Sequence, residues 1–180
     1  MDYQIIRENE VLIAYAQIET EHKHSYEHEK AHELLAQVLK EHYNVDYNQC
    51  IIGKEEHGKP YFENVDLQFN ISHCRGMVVC ALAKGLRLGV DVENVRAVRD
   101  AVTRKVLSEA ELMEFQSSKE PEKVFFRAWT YKESVVKLSG NGIREDLKKI
   151  DSKKAEYSVN RHELECGEEY YIICVASSGC

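Results

Sequence analysis

Apolar and polar positions are grouped along this chain in patterns that separate strands from helices. Residues 11–18 are apolar and β-prone, which predicts a strand. Over 25–43 the positions Ala31, Leu34, Leu35, Val38 and Leu39 follow three-and-four spacing, which predicts a helix with Ser25 as its N-cap. A short strand is expected at 50–53, after which Gly58-Lys59-Pro60 interrupts regular structure. Residues 67–71 predict a strand leading into Ser72 and His73. The apolar runs 77–83 and 86–93 are separated by Lys84-Gly85, a spacing that predicts an antiparallel hairpin. Residues 98–107 read as a helix, and Ser108-Glu109-Ala110-Glu111 has the form of a capping box that opens another. Pro121 suits the first turn of a long helix and Gly140 its end. The tail predicts strands at 156–159 and 170–176.

Each half therefore reads as strand, helical material and further strands, an α+β pattern with helices packed on antiparallel sheet. A length of 180 residues suits one large domain or two small halves sharing a core. The best boundary falls near residues 85–88, and the halves show no sequence repeat. Charged side chains within the first ten residues argue against a secretory signal. The apolar runs fall well short of the roughly 20 residues of a membrane helix. A cytoplasmic location without membrane association is the expectation. Cys50, Cys74, Cys80, Cys166, Cys174 and Cys180 form no C-x-x-C pair, so reduced, structural cysteines are expected.

Charge changes the picture locally. The net charge of −7 argues against nucleic-acid binding. Yet between Arg75 and Lys105 seven basic side chains face only Asp91, Glu93 and Asp100. Such a stretch suits an acidic partner, although taken alone it reads more simply as scattered solvated charge.

Two segments carry candidate chemistry. In Gly89-Val90-Asp91-Val92-Glu93, strand alternation puts both acids on one face and both valines on the other, towards a core. Two neighbouring carboxylates repel, and a divalent cation removes that penalty. In Trp129-Thr130-Tyr131-Lys132-Glu133-Ser134-Val135-Val136-Lys137, residues Trp129, Glu133 and Lys137 share one helix face. Taken separately, each segment reads more simply as a solvated surface. Together, three carboxylates from a strand and a helix can converge on one hard cation, with Lys137 within reach of phosphate.

These segments resemble the motifs of the phosphopantetheinyl transferase superfamily, G-[VI]-D-[VI]-E followed by W-[ST]-x-K-E-[SA]-x-x-K. Phe69-Asn70-Ile71-Ser72-His73 resembles the family's F-N-[IL]-S-H segment, and Gly58-Lys59-Pro60 its G-K-P turn. About half the chain precedes Asp91, which is similar to the surfactin-synthetase-activating type. The resemblance implies a monomeric pseudo-dimer of two similar α+β halves, 1–86 and 87–180, with the site between them. It implies transfer of the 4′-phosphopantetheine group of coenzyme A to a serine of an acyl, peptidyl or aryl carrier protein. By resemblance, Asp91, Glu93 and Glu133 bind magnesium, and Glu133 also serves as base. Lys137 neutralises the pyrophosphate, Ser72 and His73 contact coenzyme A phosphates, and Lys59 and Pro60 form a turn beside the adenine. Lys132 is expected to point elsewhere on the helix. The basic stretch from Arg96 to Lys105 is the expected docking surface for an acidic carrier.

The amino-terminal half is shorter than is usual for this type. Where the family often has basic residues before and in its first helix, this chain has Lys23 and Lys30 among histidines and acids. His24, His28 and His32 recur every four residues, a spacing open to zinc but lacking a cysteine or acid partner. Two other functions compete with the transferase: a non-catalytic relative that binds coenzyme A or a carrier protein, and a magnesium-dependent nucleotide hydrolase.

Overall fold

A run of β-prone residues forms a strand only where it finds a partner edge, and its apolar face then needs cover. The computed structural model describes residues 1–20, 24–142, 146–153 and 157–179, without the side chain of His24. Lys23, Cys180, the His24 imidazole and the start of the tail strand expected at Glu156 lie outside the described residues. The described strands and α-helices run β1 (Gln4–Glu8), β2 (Val11–Gln17), α1 (His24–Val38), β3 (Ile52–Lys54), β4 (Pro60–Phe62), β5 (Gln68–Cys74), β6 (Met77–Ala83), β7 (Leu86–Asn94), α2 (Asp100–Val106), α3 (Glu109–Ser117), α4 (Pro121–Ser139), β8 (Ser158–Cys166) and β9 (Glu169–Gly179). A wider helical turn, Leu39–Tyr43, prolongs α1 and stops at Asn44, whose left-handed φ of 54° ends it.

The strands make three antiparallel sheets, ordered β1-β2-β6-β5, β3-β4 and β7-β9-β8. Alternation along β2 and β6 builds the layers. Leu12, Ala14, Val78, Cys80 and Leu82 pack with Leu34, Leu35 and Val38 of α1. The intervening residues Val11, Ile13, Met77, Val79 and Ala81 pack with Leu88, Val90 and Val92 of β7 and Ile173 and Val175 of β9. The opposite face of β9, Ile172, Cys174 and Ala176, meets Phe125, Ala128 and Val135 of α4. The order is therefore helix, sheet, sheet, helix. Both β6 and most of β9 are covered on two faces, which is why they read as unbroken apolar runs. The five described cysteines are free, with Cys80 and Cys174 buried in these layers. No helix among the described residues is long and apolar enough to cross a membrane.

The mixed architecture of antiparallel sheet and helices agrees with the sequence pattern, and several details depart from it. The strands flanking Lys84-Gly85 are present, but they are not a hairpin. β6 is an interior strand whose two edges are taken by β2 and β5, so it has none left for β7. Gly85, at φ 64°, lets the chain leave the first sheet and enter the second, where β7 pairs with β9. Ser25 does not cap α1; it lies inside a helix that starts at His24. β1 was not expected, because an edge strand with mostly exposed side chains shows no apolar alternation. β8 extends to Cys166, well beyond the expected 159, because its polar face is solvated. The capping box at Ser108 is present, with Ser108 N donating to Glu111 Oε2 at 2.8 Å. α4 begins at Pro121 and ends at Gly140, which adopts φ 75°.

Candidate active site

The site forms where α4 crosses β7. Gly89, Asp91 and Glu93 share the strand face turned towards the helix, while Val90 and Val92 enter the core between the sheets. At Gly89 an added Cβ would lie 2.0 Å from Ser134 O and 2.3 Å from Leu138 N, so only glycine allows the helix this close. Asp91 and Glu93, about 6.6 Å apart along the strand, reach helix positions eight residues and about 12 Å apart, so long side chains bridge the difference. Lys137 Nζ donates to Asp91 Oδ1 at 2.7 Å, and Trp129 Nε1 donates to Glu93 Oε1 at 3.1 Å. Glu133 lies between them on the helix and feels the charges of Asp91, Lys137 and Glu93.

The other wall belongs to the first sheet. β5 is an edge of that sheet and β7 an edge of the second. Asn70 Oδ1 accepts from Val90 N at 2.8 Å across the seam, in place of a ladder bond. Two residues on, Ser72 Oγ donates to Asp91 Oδ1 at 3.0 Å. The seam opens into a groove of about 620 Å³, lined among others by Ser72, His73, Asp91, Glu93, Lys137, Pro60, Lys54, His28 and His32. Glu27 places Oε2 3.4 Å from His73 Nδ1, and the rings of His28 and His32 are 4.6 Å apart.

The electrostatics are those of crowded acids. Burial pushes the Glu93 carboxyl up; the hydrogen bond from Arg96 opposes this and the neighbouring Asp91 adds to it. Burial also raises Glu133, and Asp91 and Glu93 raise it further against the pull of Lys137. Asp91 Oδ2 is buried and has no hydrogen-bond partner. Among the described residues, no three His, Cys, Asp or Glu side chains are gathered tightly enough to form a ready-made metal cage. The three acids share one electrostatic neighbourhood without converging on a single point.

Several singled-out residues have specific partners. Lys59 Nζ donates to Leu88 O at 2.7 Å and Leu138 O at 3.1 Å, tying the β3–β4 hairpin to β7 and to the end of α4. All three donors of Lys137 find acceptors within the chain: Ser72 Oγ, Val90 O and Asp91 Oδ1. Lys132 does point away from the groove. It is fully buried, 2.6 Å from Glu111 Oε2 and 2.8 Å from Val106 O, and fastens α4 to α3. Arg96 is held by Glu93 Oε2 at 2.9 Å, whereas Arg99, Arg104 and Lys105 are exposed. Sequence reasoning missed the roles of Gly89 and Asn70. The motif contained both, but only the packing of α4 and the approach of two sheet edges reveal them.

Comparison with known proteins identifies the family. The chain is 35% identical over 111 residues to the 4′-phosphopantetheinyl transferase gsp of Aneurinibacillus migulanus, covering 61% of this chain and 44% of that protein. It is 30% identical over 118 residues to the 4′-phosphopantetheinyl transferase HetI of Nostoc, covering 61% and 50%. It is 27% identical over 147 residues to the 4′-phosphopantetheinyl transferase Sfp of Bacillus subtilis, covering 76% and 65%. The chain thus spans about half the length of the first two relatives and just under two thirds of the third. The family profile for the 4′-phosphopantetheinyl transferase superfamily matches residues 87–176, from the start of β7 nearly to the end of β9 and through all of α4. With that match spanning half the sequence and enclosing Asp91, Glu93, Glu133 and Lys137, the chain belongs to the 4′-phosphopantetheinyl transferase superfamily.

Proposed function

We propose that this chain transfers the 4′-phosphopantetheine group of coenzyme A to a serine of an apo-carrier protein and releases 3′,5′-adenosine diphosphate. The observation that carries the reading is the apposition of β7 and α4. It sets two carboxylates of the strand against Lys137 and Trp129 of the helix at one end of a groove. The chain divides at residues 86 and 87 into two halves arranged as a pseudo-dimer. In support, among the described residues strands up to β6 pair only with one another, as do strands from β7 onward.

Asp91, Glu93 and Glu133 would hold magnesium. They are oxygen donors suited to a hard cation, Asp91 Oδ2 is buried without a partner, and burial raises both glutamates. When bound, the cation supplies positive charge that offsets negative charge on the diphosphate. Coenzyme A would lie along the groove, its phosphates near Ser72, His73 and Lys137 and its adenine beside Lys59-Pro60. Glu133, with its raised carboxyl, takes the proton of the acceptor serine directly or through a water. The serine oxygen then bonds to the β-phosphorus as the bond to 3′,5′-adenosine diphosphate breaks. Acyl, peptidyl or aryl carrier proteins fit as acceptors.

The test weighs an apo-carrier protein by mass spectrometry after incubation with the chain, coenzyme A and magnesium. A gain of one phosphopantetheine that is lost in Glu133→Gln, and on chelation of the metal, is expected. An unmodified carrier with coenzyme A merely bound would indicate a non-catalytic relative, and cleaved coenzyme A without transfer a hydrolase.

A further inference from the structure

We propose that Ser72 is a positioning residue for Asp91, fixing one carboxylate oxygen so that the other is presented to a divalent cation; the proposal rests on the magnesium reading of Asp91. An ammonium group only donates hydrogen bonds. Lys137 Nζ lies 2.8 Å from Ser72 Oγ, so the serine oxygen accepts there. The serine's own proton is then directed to Asp91 Oδ1, 3.0 Å away. Lys137 donates to the same Oδ1 at 2.7 Å. One oxygen of Asp91 therefore receives two hydrogen bonds, while Oδ2 is buried and receives none.

That asymmetry has a physical consequence. A buried carboxylate oxygen without a partner carries a desolvation cost unless positive charge meets it. Hydrogen bonds to its sister oxygen fix the plane of the carboxylate, as outer-shell partners do for metal ligands generally. Lys137 comes from α4 on a long stem, whereas Ser72 is 94% buried on β5, short and rigidly placed. Because β5 and β7 belong to different sheets, the hydroxyl also sets the carboxylate relative to the seam between them. The coenzyme A phosphate contact proposed for Ser72 is a separate role, and the two roles predict different losses.

The test titrates manganese into the purified full chain without coenzyme A and reads free manganese by its paramagnetic resonance signal. Ser72→Ala is expected to weaken binding about tenfold or more, the usual range for loss of an outer-shell partner. Ser72→Thr, which keeps the hydroxyl, is expected to recover most of it. Because the titration is made without coenzyme A, loss of a contact between Ser72 and a coenzyme A phosphate would leave manganese affinity unchanged. Manganese affinity equal to wild type in Ser72→Ala, or a loss confined to coenzyme A affinity, would overturn the proposal. An Asp91→Asn chain serves as the separate control. If it binds manganese as well as wild type does, the magnesium reading itself fails, and the positioning role with it.

Discussion

At Gly89 the backbone of α4 lies closer to β7 than any side chain permits. The obstructing atoms, Ser134 O and Leu138 N, are backbone, so no rotamer change can relieve a methyl group placed there. Gly89→Ala is expected to destabilise the chain by about 3 kcal/mol, the upper end for overpacked interiors. Urea unfolding followed by circular dichroism would measure this, and an unchanged midpoint would contradict the close approach. Lys132 carries a similar lesson. It is the immediate neighbour of Glu133, yet its ammonium is fully buried against Glu111. Burial disfavours the charge on Glu111, but hydrogen bonds from Lys132, Ser152 and Ser108 N outweigh that and lower its carboxyl. A position one step along a helix turns by about 100°, which separates Glu133, beside Asp91 and Glu93, from a buried structural residue.

Among elements, β8 is tied to α4 by charge as well as to β9 by its ladder. Arg127 of α4 donates to Glu163 of β8 at 2.7 Å and 2.8 Å, and Tyr170 Oη donates to the same carboxylate. The Arg127 hydrogen bond, together with that from Tyr170, lowers the Glu163 carboxyl from 4.5 to about 2. A carboxyl lowered on folding stabilises the fold above its unfolded value, and that stabilisation is lost as pH falls through its folded value. The stability difference between wild type and Glu163→Gln is therefore expected to be full above about pH 4.5 and to shrink between there and about pH 2. Paired urea titrations across that window would show it. A difference independent of pH would rule the ion pair out as its source. The start of α3 and both ends of α4 were legible in sequence because the Ser108 box, Pro121 and Gly140 act within one helical turn. β1 and most of β8 were not, because exposed strands lack the apolar alternation that marks a strand.

For the whole molecule, the exposed Arg99 borders a further cavity of about 280 Å³, lined by Val98, Val102, Phe125, Phe126 and Trp129 and reaching Glu93, and the exposed Arg104 follows on α2. If the proposed transfer holds, this hollow and its basic border are where an acidic carrier protein would dock. Reversing both charges, Arg99→Glu with Arg104→Glu, is expected to raise KM for the carrier about tenfold at low salt, with a smaller effect at high salt. KM for coenzyme A should stay as it was; unchanged carrier kinetics would remove the docking role. By itself the sequence determined the elements whose signals are local, the two acids on one strand face, and the helix face bearing Trp129, Glu133 and Lys137. Only the tertiary structure decided that β6 is enclosed by β2 and β5, and that β7 turns instead to β9. It also decided that Asn70 and Ser72 bridge the seam and that Lys59 and Arg96 hold their neighbours in place. The reason is physical: periodicity reports which face of an element is apolar, whereas pairing partners are chosen by competition for edges and acceptors among residues far apart in the chain.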